Sequence, residues 1–325
     1  MKPRKLPSGN WTVQIMVNGQ RISVTEPTKT ACVNHALAIK ASPPKPKVKT
    51  MTWREAIDLY LNNSENVLSP STHKTYGGIA RNHFQDIMNL TLDEDINWQI
   101  EINKDAGKCA AKSVKNNWAL ITTVMTFYKL PKPEVKLPQV VESEMPFLDL
   151  DQIKILMSAV KNTDIEPVVL LALNGLRRSE LLALKKSDID FENHNIHVHG
   201  AIVASDHGFV EKKTNKNRTS NRIVPILIPR LEEVLKNTED PIVRYAPESI
   251  PRKIKTDALK AGLPDGIGCH ALRHSFCSLC YTNGITEGQC MKWGGWSNPG
   301  TMRKVYTHFS EKEQSKAAEA IRSLF

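Results

Sequence analysis

The sequence predicts a multidomain protein, mainly α-helical with small β-sheets, and three observations carry that prediction. A short, very basic N-terminal stretch alternates apolar and polar residues with period two. A long central segment carries helical periodicity and helix-start signals. From Phe147 onward, helices are interrupted by three short strand-like runs. At 325 residues and 40% hydrophobic, the chain is long enough for two or three domains with a sizeable core. The expected boundaries are a sheet-plus-helix domain over 1–42, a linker over 43–50, and a helical domain over 51–130. A second linker over 131–146 leads to a mixed α+β domain over 147–325.

The first domain rests on Trp11 to Val17, a strand pattern followed by Asn18-Gly19, a tight hairpin signal, and by Gln20 to Glu26 as the return strand. Thr28 to Ala41 reads as a helix with Thr28 or Thr30 as N-cap. Residues 1–50 hold nine Lys or Arg against the single acid Glu26, a balance of +8 out of the chain's +10. A small basic unit of this kind suits a nucleic-acid contact, with strands laid in a groove. Ser42-Pro43-Pro44-Lys45-Pro46-Lys47 then gives a stiff, basic linker.

In the second domain, Thr52-Trp53-Arg54-Glu55 matches a capping box. Ser69-Pro70-Ser71-Thr72 opens a further helix through Tyr76, Ile79 and Phe84. Lys112 to Lys129 is amphipathic, with Trp118, Ile121, Val124, Met125 and Tyr128 on the apolar side, read as core. Lys74, Arg81, Lys108, Lys112 and Lys115 are candidates to face phosphate. Pro131, Pro133, Pro138 and Pro146 punctuate the second linker.

In the third domain, Asp149-Leu150-Asp151-Gln152 caps a helix through Val160, and Pro167 to Leu173 forms an apolar helix that stops at Asn174-Gly175. Arg177 follows where the chain reverses, and Ser179-Glu180 starts a helix over Leu181 to Lys186. Strands are expected over Asn195 to Val203, Gly208 to Lys212 and Arg222 to Leu227, with Lys213 to Arg218 as the last turn. His270 to Tyr281 is an apolar helix. Ser310 to Phe325 reads as a helix with an apolar face left to cover.

Several function classes fall away. The longest apolar run, Val168 to Leu173, is far too short to cross a bilayer, and no apolar segment follows the basic N-terminal residues. Six cysteines in this length do not suggest a disulfide scaffold, so the cytoplasm is the expected compartment and no membrane partner is expected. Cys277-x-x-Cys280, near Cys269, His270 and His274, has a zinc-like look. It lies on an apolar helix without a second such pair, so packing thiols are expected there and no metal.

Two arginines, a lysine, a histidine and an indole, in order along the chain, can hold and cleave a phosphodiester without a metal. They are Arg177, the lysines around Lys213, His270 with Arg273, and Trp296, and Tyr306 comes last as a group able to attack. Asn174 to Leu181, His270-Ala271-Leu272-Arg273, Gly295-Trp296-Ser297 and Tyr306 resemble the motifs of the tyrosine recombinase family, particularly phage-type integrases. The resemblance covers about residues 147–310. It implies an arm-type DNA-binding domain, a helical core-binding domain and a mixed α+β catalytic domain.

The resemblance also implies roles. Arg177 and Arg273 grip the non-bridging phosphate oxygens bidentately. His270, sharing a helix face with Arg273, takes the proton of Tyr306 or donates to phosphate. Tyr306 forms a 3′-phosphotyrosyl link and releases a 5′ hydroxyl, so no cofactor is expected. Lys213 protonates that leaving oxygen, with Lys212 and Lys216 as alternatives. Glu180 orients an arginine or the hairpin lysine, and Trp296 donates its indole N–H to phosphate. Position 296 departs from the histidine common in the family, and Gly294 from the usual leucine, which loosens that turn. The implied partners are double-stranded DNA at core and arm sites and a homo-tetramer on paired sites, with room for accessory DNA-bending or directionality proteins. The tail helix packs on its own chain or docks on a neighbour. A DNA-binding regulator that has lost activity and a chromosome-dimer resolvase are the rival readings. The intact residue set stands against the first, the basic N-terminal unit against the second.

Overall fold

The computed structural model describes residues 2–17, 20–41, 51–141, 146–212, 221–300 and Arg322. Tyr306, Lys213, Lys216, the Asn18-Gly19 turn and the tail helix lie outside the described residues. The chain divides into one unit of residues 1–64 and 76–139 and a second of residues 65–75 and 140–325.

In the first unit, β1 (Arg4–Lys5), β2 (Trp11–Val17) and β3 (Gln20–Glu26) form an antiparallel sheet in the order β1-β2-β3. Val17 pairs with Gln20 and Trp11 with Glu26, the register of the expected hairpin. Val13, Ile15 and Val24 pack with Cys32 and Ala36 of α1 (Lys29–Ala41) in a small core. Thr28 caps that helix, its Oγ1 accepting from the Ala31 amide at 3.2 Å.

The rest of the unit is helical: α2 (Trp53–Asn63), α3 (Pro70–Asn82), α4 (Trp98–Ala106) and α5 (Ala111–Phe127). The Thr52–Glu55 capping box forms as expected. α3 ends at Asn82 rather than running through Phe84, because Phe84 takes a left-handed φ of 56° and drops its ring into the core. Trp53, Trp98 and Trp118 pack in series, with centroid separations of 4.9 and 5.3 Å. They are core residues rather than stacking platforms. Lys74, Arg81, Lys108, Lys112 and Lys115 are all exposed.

In the second unit, the Asp149–Gln152 capping box starts α6 (Leu150–Val160). α7 (Glu166–Leu173) is buried on every side, as its unbroken apolar run demands, and the main core assembles around it. α8 (Arg178–Ala183) is shorter than expected, and the chain is already extended at Leu184. The strand expected over Asn195 to Val203 is two strands in two sheets. β5 (Asn195–Val198) pairs with β4 (Ile189–Asp190) and β8 (Arg222–Pro225), while β6 (Ala201–Ser205) pairs with β7 (Gly208–Lys212) in a separate sheet. Gly200 sits at the break, where a residue without a side chain weakens strand continuity. Helices α9 (Pro229–Lys236), α10 (Ser249–Lys260), α11 (Cys269–Thr282) and α12 (Glu287–Gly294) follow. No helix among the described residues is long and apolar enough to cross a membrane.

Candidate active site

Three structural joints bring distant residues together. The end of α7 supplies Asn174, fully buried, whose amide donates to the Pro225 carbonyl at 2.9 Å and accepts from the Leu227 amide at 2.9 Å. This clamp fixes β8 against the α7–α8 turn. Gly175 adopts a φ of 93°, and a Cβ there would meet the Phe276 ring at 3.0 Å, so glycine lets α7 and α11 approach closely. The third joint is the end of α12, where Gly295 turns left-handed at a φ of 67°.

Arg177 precedes α8, and its backbone N–H donates to Glu180 at 2.8 Å. Its guanidinium pairs with Glu180 Oε1 at 2.6 Å and donates to the Gly295 carbonyl. Arg273, on α11, is 1% exposed and donates to the carbonyls of Gly175 (2.5 Å) and Gly294 (2.6 Å). Arg222 reaches in from β8. It makes a fork with Glu180, at 3.0 Å to Oε1 and 2.9 Å to Oε2, and donates to the Trp293 carbonyl at 2.6 Å. Two guanidiniums, Arg177 and Arg222, thus pair with one buried carboxylate, and the three together hold three successive carbonyls, those of residues 293–295.

Among the expected site residues, Arg177, Glu180, His270, Arg273 and Trp296 lie in the same unit, around α8 and the N-terminal half of α11. Glu180 orients arginines, two of them. Trp296 is placed differently from expectation: its ring lies over the Arg273 guanidinium, 3.8 Å from Cζ to centroid, and stacks on Phe276 at 6.3 Å. Gly294 makes that possible, because a Cβ at 294 would fall 1.8 Å from the indole. The glycine read as loosening the turn instead lets the indole fold back onto its own backbone. Lys212 closes β7, opposite Ala201.

Arg222 is the residue that no motif flagged. The signal was local: in a strand, residues 222 and 224 share a face, and Val224 is fully buried while Ile223 is 53% exposed. An arginine on the buried face of a strand needs a buried acid, and Glu180 is that acid.

The site's electrostatics follow from this crowding. Burial raises the Glu180 carboxyl pKa, but the Arg222 hydrogen bonds and charge, then Arg177, outweigh it and leave it lowered. Burial and the Arg177 charge pull Arg273 down to about 9, so it stays charged at neutral pH. His270 lies in the first turn of α11 and its pKa is lowered, by burial first and then by Arg273 and Arg177. Its imidazole is therefore neutral at neutral pH. His274, one turn on and 4.7 Å away ring to ring, falls to about 4 through burial, His270 and Arg273. Cys277 and Cys290 approach at 3.7 Å in an apolar cluster with Phe276 and Cys280, and contact with Cys290, then burial, pushes Cys277 and Cys280 upward.

Residues 146–313 match the family model described as the phage integrase family. A tyrosine recombinase XerC-like protein of Caldanaerobacter subterraneus subsp. tengcongensis is 26% identical, covering 79% of this chain and 78% of its own. The integrase of Staphylococcus phage L54a is 24% identical over 81% of this chain and 83% of its own. The integrase of the transposon Tn1549, solved with transposon right end DNA, superposes with a TM-score of 0.64 at 17% identity, covering 82% of this chain and 100% of that one. The protein defined by this fold and arginine-lined site belongs to the phage integrase family.

Proposed function

We propose that the chain is a site-specific DNA recombinase, an integrase of a phage or mobile element, that cuts and rejoins strands through a 3′-phosphotyrosyl intermediate. The observation that carries this reading is the clustering of Arg177, Arg222 and Arg273, with Glu180 pairing two of them and acting on the third by charge. That set holds a surplus of two positive charges in a partly dehydrated site, which suits the phosphoryl group of a DNA backbone. Attack builds negative charge on the non-bridging oxygens, and preorganised guanidiniums stabilise it without reorganising.

In this mechanism the Tyr306 oxygen attacks phosphorus and bonds to it, while the bond to the 5′ oxygen breaks. Neutral His270 receives the tyrosine proton. Lys213, or Lys212 or Lys216 of the same hairpin, delivers a proton to the departing 5′ oxygen. Rejoining reverses these steps with a new 5′ hydroxyl, so bond energy is conserved and no nucleotide cofactor is needed. Arg177, with 35% of its side chain exposed, meets the phosphate directly. Arg273 lies under the indole of Trp296, and its charge acts on the phosphate from there or after the ring lifts. Exchange between two duplexes cuts four strands, one tyrosine each, which favours a tetramer on paired sites. The basic residues 1–50 and the exposed lysines of the helical unit supply arm and core contacts to DNA.

The test is a nicked suicide substrate carrying the element's own junction. Wild type accumulates a covalent protein–DNA adduct, and Tyr306→Phe binds the DNA without forming one. Wild-type binding with no adduct would instead identify a regulator that has kept the fold and lost the chemistry.

A further inference from the structure

Away from the arginine site, four polar side chains meet where α3, α4 and α5 of the first unit come together. His83 follows the last turn of α3, and the left-handed Phe84 stops the helix directly after it. Asp105 lies near the end of α4, Cys109 one turn later, and Asn117 within α5. Asp105 and Asn117 are buried, at 3% and 4% exposure, while His83 and Cys109 are partly open to solvent.

The hydrogen bonding among them is crowded. His83 Nδ1 is 2.5 Å from Asp105 Oδ1 and 2.9 Å from Asn117 Nδ2, and Asn117 Nδ2 is 2.8 Å from Asp105 Oδ2. A ring nitrogen carries either a hydrogen or a lone pair. If Nδ1 donates to Asp105, the Asn117 amide N–H faces another N–H. If Nδ1 accepts from Asn117, its lone pair faces a carboxylate oxygen at 2.5 Å. Turning the Asn117 amide over sets its oxygen against Asp105 Oδ2 instead. In the first case the second Asn117 hydrogen turns toward Cys109 Sγ at 3.8 Å, and two donors are left 2.9 Å apart. A cation held by Nδ1 and the carboxylate relieves that crowding, because it accepts both lone pairs and leaves Asn117 to donate to Oδ2.

We propose that His83, Asp105 and Cys109 bind a zinc-class divalent metal ion in the helical unit. Their ligand atoms all lie within 4.8 Å of one another. Ligands about 2.0–2.3 Å from a shared tetrahedral ion stand about 3.3–3.7 Å apart. Cys109 Sγ and Asp105 Oδ2, at 3.7 Å, already meet that spacing, and the His83–Asp105 pair opens to it by under an ångström. Nitrogen, oxygen and thiolate sulfur together select zinc or cobalt over magnesium or calcium, which take oxygen ligands. Asn117 Nδ2, 2.8 Å from Asp105 Oδ2, 2.9 Å from His83 Nδ1 and 3.8 Å from Cys109 Sγ, borders the same space, shifts aside for the ion, and orients the carboxylate by donating to it. The side open to solvent at His83 and Cys109 leaves a fourth position for water. The ion fastens the ends of α3 and α4 to each other and, through Asn117, to α5, so binding couples to the stability of the helical unit.

The full-length protein, stripped with chelator, is titrated with zinc and separately with cobalt. The proposal expects one zinc per chain, a rise in Tm on zinc addition, and a thiolate-to-cobalt charge-transfer band. Cys109→Ser should abolish that band, and both Cys109→Ser and His83→Gln should weaken zinc binding at least tenfold. Far-UV circular dichroism in chelator checks that each variant is folded as the stripped wild type is. Two outcomes overturn the proposal. Absence of stoichiometric binding leaves hydrogen bonds alone as what joins these helices. A cobalt band that survives Cys109→Ser but disappears in Cys290→Ser assigns the metal to the buried thiols of α11 and α12.

Discussion

In the helical unit, the buried acid Asp105 is surrounded by an imidazole, an amide and a thiol; in the catalytic unit, the buried acid Glu180 pairs with two guanidiniums and feels the charge of a third. Both acids sit where α-helices meet other elements, and both are almost wholly dehydrated. The first cluster joins uncharged or weakly basic groups from three helices. The second joins permanent charges from α8, β8 and α11, and its net charge stays positive after Glu180 is counted. The difference is one of sign: the first offers lone pairs to a cation, while the second holds repelling charges that an anion can relieve.

The largest expected effect tests that contrast directly. Glu180→Gln removes the acid that pairs with Arg177 and Arg222, so unfolding in urea should show a loss of about 3–5 kcal/mol, as when one partner of a buried pair is removed. Asp105→Asn, measured in chelator, should cost only about 1–3 kcal/mol, because His83 and Cys109 are less strongly charged partners. Equal losses would mean that the catalytic cluster stores no special electrostatic load.

A middle-sized effect probes the lid over Arg273. Gly294→Ala places a methyl into the indole, at a cost of about 1–3 kcal/mol for overpacking. Trp296 should leave Arg273, with a shift in tryptophan emission and a change in adduct yield. An unchanged spectrum would show that the indole does not rest on the guanidinium in solution.

The smallest effect is in pH. His274 has an ordinary value of 6.5 and about 4 in the fold, so between those values the unfolded chain binds the proton more readily. Its contribution to stability is complete above pH 6.5 and is lost as pH falls toward 4. Tm should decline across that window, and His274→Gln should flatten the decline. A helical-unit change such as His83→Gln that flattened it equally would remove the assignment.

Much of this was legible from short-range signals. Both capping boxes, at Thr52–Glu55 and Asp149–Gln152, formed as spelled, because a cap is a contract between residues three apart. The hairpin register and the fully buried α7 followed from periodicity alone. The order of Arg177, His270, Arg273, Trp296 and Tyr306 pointed to phosphodiester chemistry. α3 overran its true end because nothing in the local pattern reveals that Phe84 gains more by turning into the core. The strand over 195–203 divided because pairing partners, not propensity, decide which sheet a residue joins.

What the sequence by itself determined is therefore most of the elements and the family, and it named the candidate reacting groups. Tertiary structure alone recruited Arg222 to Glu180 across 42 positions, and bonded Arg177 to the Gly295 carbonyl across 118. It also laid Trp296 over Arg273 in the space that Gly294 leaves. The physical reason is range. Caps and periodicities are settled within a turn or two of chain, whereas buried charges are settled only when the fold decides which neighbours replace water.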